Sequence, residues 1–300
     1  MPVDTPGMKS PLSPILYPLE ALGALIAYGA LHALPLEAAS AFGAAVLARI
    51  GPRLALHERA RRNLERAFPD KAPADITAIL DGMWRNLGRT AGEFAHLKTM
   101  RADIGKRVEV IGAERAEHLA ATLGPTIFIS GHLANWELMP LVSARFGMPI
   151  DAVFRAPDNP LVRSLYNRRR IHPDTRMIPK GAEGARMVLT SLREKRRIGL
   201  LIDQKLNEGV EAKFFGHPAM TGDAFAQFAI RLKCPVVPIR IERLEGVKFR
   251  VTVEDPMVVP HTGDRKADVA TMVQAANDQL ERWIRERPEQ WLWVHKRWKS

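Results

Sequence analysis

The sequence predicts a single α/β domain that follows an apolar N-terminal helical segment. Short apolar runs typical of buried strands alternate with amphipathic helical patterns along most of the chain, and such alternation favours a sheet covered by helices. Hydrophobic residues make up 46% of the 300 residues and charged residues 26%, which excludes a disordered or fibrous protein. Because no repeat, linker or change in composition divides the chain, we expect a membrane-associating helical region at 1–50 and one α/β domain at 51–300.

The N-terminal segment 15–36 is apolar on every helical face and is interrupted only by Glu20 and His32. Its proline-free stretch, 19–34, would extend about 24 Å as a helix, which is less than the ~30 Å hydrocarbon core of a bilayer. The basic start and small-residue cleavage site of a signal peptide are missing. Three interpretations stay open: a monotopic or half-buried membrane anchor, a tilted single span, and a buried helix of a soluble protein.

The charge of the chain predicts an anionic partner. There are 44 Lys and Arg residues against 33 Asp and Glu residues, so the formal net charge is +11. Nucleic acid, an anionic membrane surface and an acidic protein would all fit this charge. Six arginines directly follow the apolar segment and only Lys9 precedes it, which by the positive-inside rule places the body of the protein in the cytoplasm. These arginines are Arg49, Arg53, Arg59, Arg61, Arg62 and Arg66.

The elements follow in an alternating order. Helical patterns occupy 36–50, 57–67, 73–98, 113–123, 134–146, 160–170, 182–195, 222–233 and 266–287. Strand patterns occupy 108–111, 126–130, 150–154, 198–202, 236–241 and 247–253.

Candidate catalytic residues follow the strand at 126–130. Ligands of open α/β sheets bind at the carboxyl ends of strands, and His132 lies there, with Glu137 five positions later. The two side chains can meet only if His132 stays in the loop and Glu137 lies in the first helical turn, since five helical steps would place them about 140° apart. A His132–Glu137 dyad could then act as a general base. The alternative is a structural loop histidine and an acidic residue that complements the helix dipole.

A set of motifs in fixed order carries a resemblance. The chain resembles the bacterial lipid A biosynthesis acyltransferases, the late acyltransferases that add lauroyl or myristoyl chains, within the lysophospholipid acyltransferase superfamily. The resemblance extends from about residue 15 to residue 300. Its motifs are NLERAFPD (63–70), MWRNLGRTAGE (83–93), GHLANWE (131–137), FRAPDNPLVRSLYNRRR (154–170), LLIDQ (200–204), FFGHPAMTGDAFAQFA (214–229) and PEQWLWVHKRW (288–298).

The resemblance implies a fold and a reaction. The fold would be of the glycerolipid-acyltransferase type, a mixed central sheet flanked by helices with an N-terminal membrane-binding element. The reaction would transfer a fatty acyl group from acyl carrier protein to a hydroxyl of an acylated glucosamine lipid A precursor, with His132 as the base and Glu137 as its partner. The helix-opening amides after His132 would donate to the oxyanion. Acyl-acyl carrier protein would be a co-substrate and no cofactor would be needed.

The same resemblance implies partners and a location. Acyl carrier protein is acidic and the lipid A precursor carries phosphates, so both suit a basic enzyme. With an anionic membrane surface they would account for the charge, and no nucleic acid is expected as a partner. The enzyme would lie on the cytoplasmic face of the inner membrane.

Three further residues are candidates for substrate binding. Arg155 would bind a phosphate or the donor, and the alternative is a surface arginine. Asp203 ends an apolar strand, where a carboxylate needs a partner, so a structural ion pair with Arg155 or Lys205 competes with a direct role in the reaction. Thr221 would contact substrate or would cap the helix that begins near Gly222.

No metal site is predicted. Cys234 is the single cysteine, which excludes a cysteine-based zinc site, and it is expected in the core. The histidines at 172, 217, 261 and 295 show no metal-like spacing. The tryptophans at 291, 293 and 298 could form either an interfacial belt or a packed terminal element.

Two other functions compete with lipid A acylation. Another glycolipid or a lysophospholipid could be the acceptor, but the phospholipid branch usually has H-x4-D and a Pro-Glu-Gly-Thr block, and here the acid is Glu137 and Pro-Glu-Gly does not occur. A nucleic-acid-binding protein would explain the charge but neither the apolar N-terminus nor the His132–Glu137 spacing. The acyl chain length and the acceptor position are set by pocket side chains that the sequence does not place.

Overall fold

The computed structural model describes residues 13–154, 157–167 and 175–298. The helices are α1 (Ser13–Ala33), α2 (Leu36–Ile50), α3 (Ala55–Ala67), α4 (Pro73–Phe94), α5 (Leu97–Ala102), α6 (Ile104–Arg107), α7 (Ala113–Ala121), α8 (Leu138–Arg145), α9 (Pro160–Asn167), α10 (Ala182–Arg193), α11 (Ala224–Leu232) and α12 (Arg265–Glu286). The strands are β1 (Val108–Ile111), β2 (Thr126–Ser130), β3 (Ile150–Phe154), β4 (Met177–Pro179), β5 (Arg197–Leu201), β6 (Lys205–Phe214), β7 (His217–Thr221), β8 (Val236–Glu245) and β9 (Lys248–Val253).

A mixed seven-stranded sheet forms the centre of the molecule, as the resemblance implied. Its strand order is β1-β9-β8-β2-β5-β3-β4, and β8 with β9 is its antiparallel pair. Apolar clusters on both faces of the sheet bury side chains from the flanking helices. A separate antiparallel hairpin, β6–β7, was not predicted, and neither was the short edge strand β4.

The centre of the sheet determines where the candidate site lies. All five residues of β2 are buried, and β2 pairs in parallel with β5 on one side and β8 on the other. The register pairs Ser130 with Leu201, and the Ile202 amide donates to the Ser130 carbonyl at 3.0 Å. The two strands therefore end side by side. His132 and Asp203 lie next to each other because each follows the end of its strand by two residues.

Two expectations near the site were wrong. The helix after His132 begins at Leu138 rather than near 134, because residues 131–137 form an irregular loop in which Ala134 has a φ of +47°. Thr221 does not cap the next helix: it ends β7, Asp223 precedes α11, and the Thr221 hydroxyl donates to the Ala219 carbonyl instead.

Helices α2 and α4 pack with their backbones in close contact. A Cβ atom added at Gly43 or Gly88 would overlap a backbone oxygen of the opposite helix, and one added at Gly92 would overlap the Ala39 carbonyl. These contacts require glycine, since any side chain would push the helices apart. The close approach fixes α4, which carries a polar side-chain network to the candidate site.

Helix α1 leaves most of its apolar side chains in solvent. Leu19, Leu22, Leu25 and Ile26 are 50% to 63% exposed. Within the described ranges, no helix is both long and apolar enough to cross a membrane.

The C-terminal half of α1 is attached to the body by polar contacts. The Tyr28 hydroxyl donates to the Ala95 carbonyl at 3.2 Å, and His32 Nδ1 lies 3.0 Å from the same oxygen. His96 Nε2 lies 2.9 Å from the Leu31 carbonyl, and the His32 and His96 rings stack at 5.6 Å.

Candidate active site

His132 lies in the loop after β2, and its ring contacts a carboxylate on the neighbouring strand end. His132 Nδ1 is 2.8 Å from Asp203 Oδ1, and the His132 backbone amide donates to Asp203 Oδ2 at 2.7 Å. Asp203 is fully buried, whereas the His132 side chain is 14% exposed. Because Nδ1 is engaged by Asp203, the other ring nitrogen of His132, Nε2, is the one that can contact a reacting group.

Three donors bind the Asp203 carboxylate. In addition to the two His132 groups, Trp291 Nε1 donates to Oδ2 at 2.8 Å. Burial opposes the charged form, but the charge and hydrogen bonds of His132, together with His295, hold the pKa of Asp203 well below its usual range. An ionised Asp203 fixes the tautomer of His132 with the proton on Nδ1 and stabilises the imidazolium that forms when Nε2 accepts a proton.

Glu137 lies at the start of α8, one residue before the helix begins. It is half-buried, and its amide donates to the Asn135 side-chain oxygen at 3.1 Å. The carboxylate that contacts Nδ1 of His132 is that of Asp203, on the neighbouring strand. A catalytic role for Glu137 therefore stays a prediction, separate from the hydrogen bond to Nδ1.

The loop after His132 is held from two directions. Ala134 adopts a left-handed conformation that is costly for a residue with a Cβ atom, and its amide donates to the Gln290 carbonyl at 2.8 Å. The Ala134 carbonyl accepts bonds from Asn86 Nδ2 at 3.1 Å and from Thr90 Oγ1 at 2.9 Å. These bonds offset the backbone strain and fix the path of the loop.

A buried ion pair supports the same loop from behind. Arg243 donates to both oxygens of Glu93, at 2.5 and 3.0 Å, and Glu93 also accepts from Ser40 Oγ and from Asn135 Nδ2 at 2.7 Å each. Arg243 in turn donates to Asn86 Oδ1 at 2.9 Å. When the other hydrogen-bonding groups of a buried ion pair are satisfied, the geometry of the pair is well defined, although the pair contributes little net stability. The motif at 83–93 thus has a structural role in positioning the His132 loop.

A second imidazole contacts His132. The ring of His295 meets the ring of His132 edge-on, with centroids 4.7 Å apart and an interplanar angle of 63°. Burial, aided by the charges of His132, Lys180 and Arg297 and opposed by Asp203, lowers the pKa of His295 to about 4. His295 is therefore neutral at pH 7. Its spacing in the sequence gave no sign of this position.

Thr221 belongs to a buried polar group next to the site. Arg297 donates to Thr221 Oγ1 at 2.8 Å and to Asn277 Oδ1 at 3.0 Å, and its guanidinium lies 4.7 Å from the centre of the Phe214 ring. Burial lowers the pKa of Arg297 to about 10. These contacts give Thr221 a packing role, and substrate contact by Thr221 stays a prediction. Arg155 lies outside the described residues.

The tryptophans of the C-terminal segment pack inside the protein. Trp291, Trp293 and Trp298 are 1%, 0% and 5% exposed, and they contact Phe214 and Phe215. Of the two interpretations of these residues, the packed terminal element is confirmed and the interfacial belt is wrong. Cys234 is buried in the core, as expected, and burial raises the pKa of its thiol to about 11, so it is unsuited to nucleophilic chemistry.

The donor types at the site could also suit a divalent metal. Ligand atoms of His132, Asp203 and His295 lie within 4.8 Å of one another, a grouping that the sequence spacing did not predict. The 2.8 Å separation between His132 and Asp203 is that of a hydrogen bond, and three donors already bind the Asp203 oxygens. We therefore interpret the cluster as a hydrogen-bonded acid–base group, and the expectation that no metal is needed stays a prediction.

Comparison with known proteins gives consistent results. Residues 13–300 match the sequence model of the family described as bacterial lipid A biosynthesis acyltransferase. The chain is 26% identical over 262 residues to a lipid A biosynthesis myristoyltransferase of Escherichia coli (strain K12), covering 84% of this chain and 79% of that protein. It is equally similar, over the same shares of both chains, to lipid A biosynthesis acyltransferase 1 of Shigella flexneri.

Proposed function

Since the chain belongs to the bacterial lipid A biosynthesis acyltransferase family, we propose that it transfers a fatty acyl group from acyl carrier protein to a hydroxyl of an acylated glucosamine lipid A precursor. The observation that carries the proposal is the His132–Asp203 pair at the carboxyl ends of two paired strands, because an aliphatic hydroxyl needs a base before it can attack a thioester. The position of His132, whose side chain is 14% exposed, beside a buried, ionised carboxylate suits that base.

The reaction proceeds in two steps on the thioester carbonyl. In the first, the acceptor oxygen forms a bond to the carbonyl carbon while its proton passes to His132 Nε2. In the second, the tetrahedral intermediate expels the carrier thiolate, and the imidazolium returns the proton to that sulfur. Asp203 is a positioning residue that stabilises the imidazolium, and no acyl-enzyme is needed because the donor thioester is already activated. Glu137, predicted from the sequence as the carboxylate partner of His132, is proposed to act beside Asp203 as a second carboxylate that stabilises the imidazolium.

Binding of both substrates draws on the positive charge of the chain. The net charge of +11 favours encounter with an acidic carrier protein and with the phosphates of the lipid acceptor. Arg155 is proposed to bind one of these anionic groups. Lys180, whose amino group donates to Gln204 beside Asp203, adds positive charge at the edge of the site.

The enzyme is proposed to lie on the cytoplasmic face of the inner membrane as a monotopic protein. An apolar surface of exposed side chains supports this attachment, since a solvated face of this extent on a helix next to arginines suits a bilayer surface. We call these exposed side chains the apolar face of α1 and α2. They are Leu19, Leu22, Leu25 and Ile26 of α1, Leu34 between the two helices, and Phe42 and Ile50 of α2. Arg49 and Arg53 flank Ile50 in the chain and Arg62 follows in α3, where anionic headgroups would meet them.

The test is transfer of a labelled acyl chain by membrane-recovered protein. Acyl carrier protein loaded with lauroyl or myristoyl groups is offered with a lipid A precursor, with a different glycolipid, or with a lysophospholipid, and products are identified by mass spectrometry. We expect one added acyl chain on the lipid A precursor. Transfer to the lysophospholipid or to the other glycolipid alone would favour the alternative acceptor class.

A second measurement addresses cofactors. Because thioester and base suffice for the reaction, we expect activity to survive dialysis against EDTA. Loss of activity that zinc or another divalent ion restores would mean that the His132, Asp203 and His295 cluster binds a metal.

A further inference from the structure

His295 lies at the candidate active site, and one of its ring nitrogens has no hydrogen-bond partner among the described residues. A ring nitrogen of His295 lies within 4.8 Å of a ring nitrogen of His132 and of a carboxylate oxygen of Asp203. Its Nε2 is shielded from solvent without a hydrogen-bond partner in the described part of the chain. A buried polar atom without a partner is costly, so such atoms in functional sites often await a ligand. A hydrogen-bond partner that is present only when substrate is bound would explain why His295 Nε2 has none among the described residues.

The reaction needs a donor at this place. As the thioester carbonyl becomes tetrahedral, its oxygen gains negative charge that hydrogen-bond donors must stabilise. The amides of the His132 loop, which the sequence suggested for this purpose, are largely engaged by the protein itself. Leu133 N–H donates to the Gly131 carbonyl (2.8 Å), Ala134 N–H to the Gln290 carbonyl (2.8 Å), Glu137 N–H to Asn135 Oδ1 (3.1 Å) and Leu138 N–H to the Asn135 carbonyl (3.1 Å).

We propose that His295 donates a hydrogen bond from Nε2–H to the carbonyl oxygen of the donor thioester as that oxygen becomes the oxyanion. This inference rests on the acyl transfer proposed above. The proton stays on Nε2 throughout, and the bonds that form and break are those already given for the transfer. In this scheme His132 accepts and returns the proton, and His295 stabilises the negative charge of the oxyanion.

The environment of His295 suits a donor better than a second base. The charged or titratable groups that act on it are Asp203, His132, Lys180 and Arg297, and with burial they keep it neutral at pH 7. A neutral imidazole N–H donates well, and it does not repel the imidazolium that forms on His132 only 4.7 Å away. A charged His295 would oppose that step.

The backbone around His295 is rigidly held, as a preorganised donor requires. Asn63 Nδ2 donates to the carbonyls of Trp293 at 2.7 Å and of His295 at 2.8 Å, and Arg59 donates to the Val294 carbonyl at 3.3 Å. Because α3 supplies both residues, the helix fixes the backbone of the turn that carries His295, whose ring contacts His132. Preorganisation of this kind makes an oxyanion donor effective.

The test compares His295→Leu, which removes the donor, with His295→Gln, whose side-chain amide can place an N–H near the position of Nε2. We expect His295→Leu to lower kcat by ~10²–10³-fold with KM for both substrates little changed, and His295→Gln to restore at least about a tenth of the wild-type kcat. His295→Asn, with a shorter amide that does not reach, should resemble His295→Leu. The Gln and Asn variants keep the comparison informative if the Leu variant does not fold.

Two outcomes would overturn the role of His295. Activity of His295→Leu within a few-fold of wild type would show that no donor is lost, and equal losses in the Leu and Gln variants would show that the imidazole itself is needed. Both presuppose an active wild type. Absence of acyl transfer by the wild-type protein with every acceptor would instead reject the proposed function, and this inference with it.

Discussion

Asp203 shows how one side chain can determine the chemistry of its neighbour. It accepts from the ring and the backbone of His132 and from the indole of Trp291, so neither oxygen is free to turn away. A carboxylate bound in this way keeps the His132 tautomer that leaves Nε2 available. The consequences can be measured residue by residue.

The first prediction concerns the base and its carboxylates. His132→Ala should lower kcat by at least ~10²-fold, and Asp203→Asn should do the same because the amide no longer favours the Nδ1–H tautomer or the imidazolium. Because the two act as one unit, the double variant should be little worse than His132→Ala alone. Glu137→Gln keeps the shape of the proposed second carboxylate but removes its negative charge, so its activity is also expected to be severely impaired. Each variant is assayed after its folding has been confirmed by circular dichroism. Retention of more than about a tenth of the rate by His132→Ala would exclude it as the general base.

The second prediction concerns the pH dependence of stability. The pKa of His295 is lowered from 6.5 to about 4, so between these values the unfolded chain binds a proton that the folded chain does not, and stability falls as pH falls. At pH 5 this group should cost about 2 kcal/mol of unfolding free energy relative to pH 7. His295→Gln removes the titration, so urea unfolding at the two pH values should show a smaller loss for the variant than for the wild type. Equal losses would mean that His295 titrates normally in the folded protein.

At the scale of elements, most of the fold follows from apolar patterns, and the active site depends on a register. Strands such as β1, β2 and β3 have the predicted limits because short buried runs between turns have few alternatives. Asp203 was placed at a strand end, but its contact with His132 depends on β5 being the neighbour of β2 and pairing Ser130 with Leu201. Pairing of this kind is not visible in one sequence. The β6–β7 hairpin was missed for a related reason, since its polar, partly exposed strands lack an apolar pattern.

The third prediction concerns the contact between α2 and α4. Gly88→Ala should lower the melting temperature because its Cβ atom would overlap the Gly43 carbonyl, and overpacking against a backbone typically costs about 1–3 kcal/mol. Gly29→Ala in α1 is the matched control, because nothing lies within 4 Å of its added Cβ atom. Equal thermal stability of the two variants would contradict the close packing. Since α4 also carries Glu93, activity of Gly88→Ala should fall with stability.

At the scale of the whole molecule, the protein combines a net positive charge with an exposed apolar surface, and the two features suit different partners. The apolar face of α1 and α2 suits a bilayer, and the positive charge suits acidic lipid headgroups and an acidic carrier protein. The proposed function requires the enzyme to take its lipid acceptor from the membrane and its protein donor from solution. Membrane binding through the apolar face and carrier-protein binding through the positive charge can be tested separately, the first by substitution and the second by added salt.

The fourth prediction concerns membrane attachment. Glutamate at Leu19, Leu22 and Ile26 should reduce binding to vesicles that contain anionic lipid, because these side chains are at least 54% exposed and would place charge in the acyl region. Val258→Glu, at a position 87% exposed outside α1 and α2, is the control and should bind like the wild type. Vesicle flotation measures both. If the triple variant still floats fully, the anchor lies in another part of the chain.

The fifth prediction concerns the carrier protein. Attraction between the basic enzyme and an acidic donor is screened beyond a Debye length of about 8 Å at physiological salt. The KM for acyl carrier protein should therefore rise with added salt, while kcat at saturation stays level. A KM that does not change with salt would assign the positive charge to the lipid alone.

The contact between the His132 loop and the segment at 288–298 has a consequence for biosynthesis. Trp291, which binds Asp203, and Gln290, which binds the Ala134 amide, are translated about 160 residues after His132. At ~5–20 residues per second this interval lasts roughly 8–30 s, during which α1 is already outside the ribosome. The nascent chain can thus reach the bilayer before its acid–base group is assembled. If α1 attaches to the membrane as proposed, the polypeptide can be in place beside its lipid acceptor before it becomes able to catalyse the reaction.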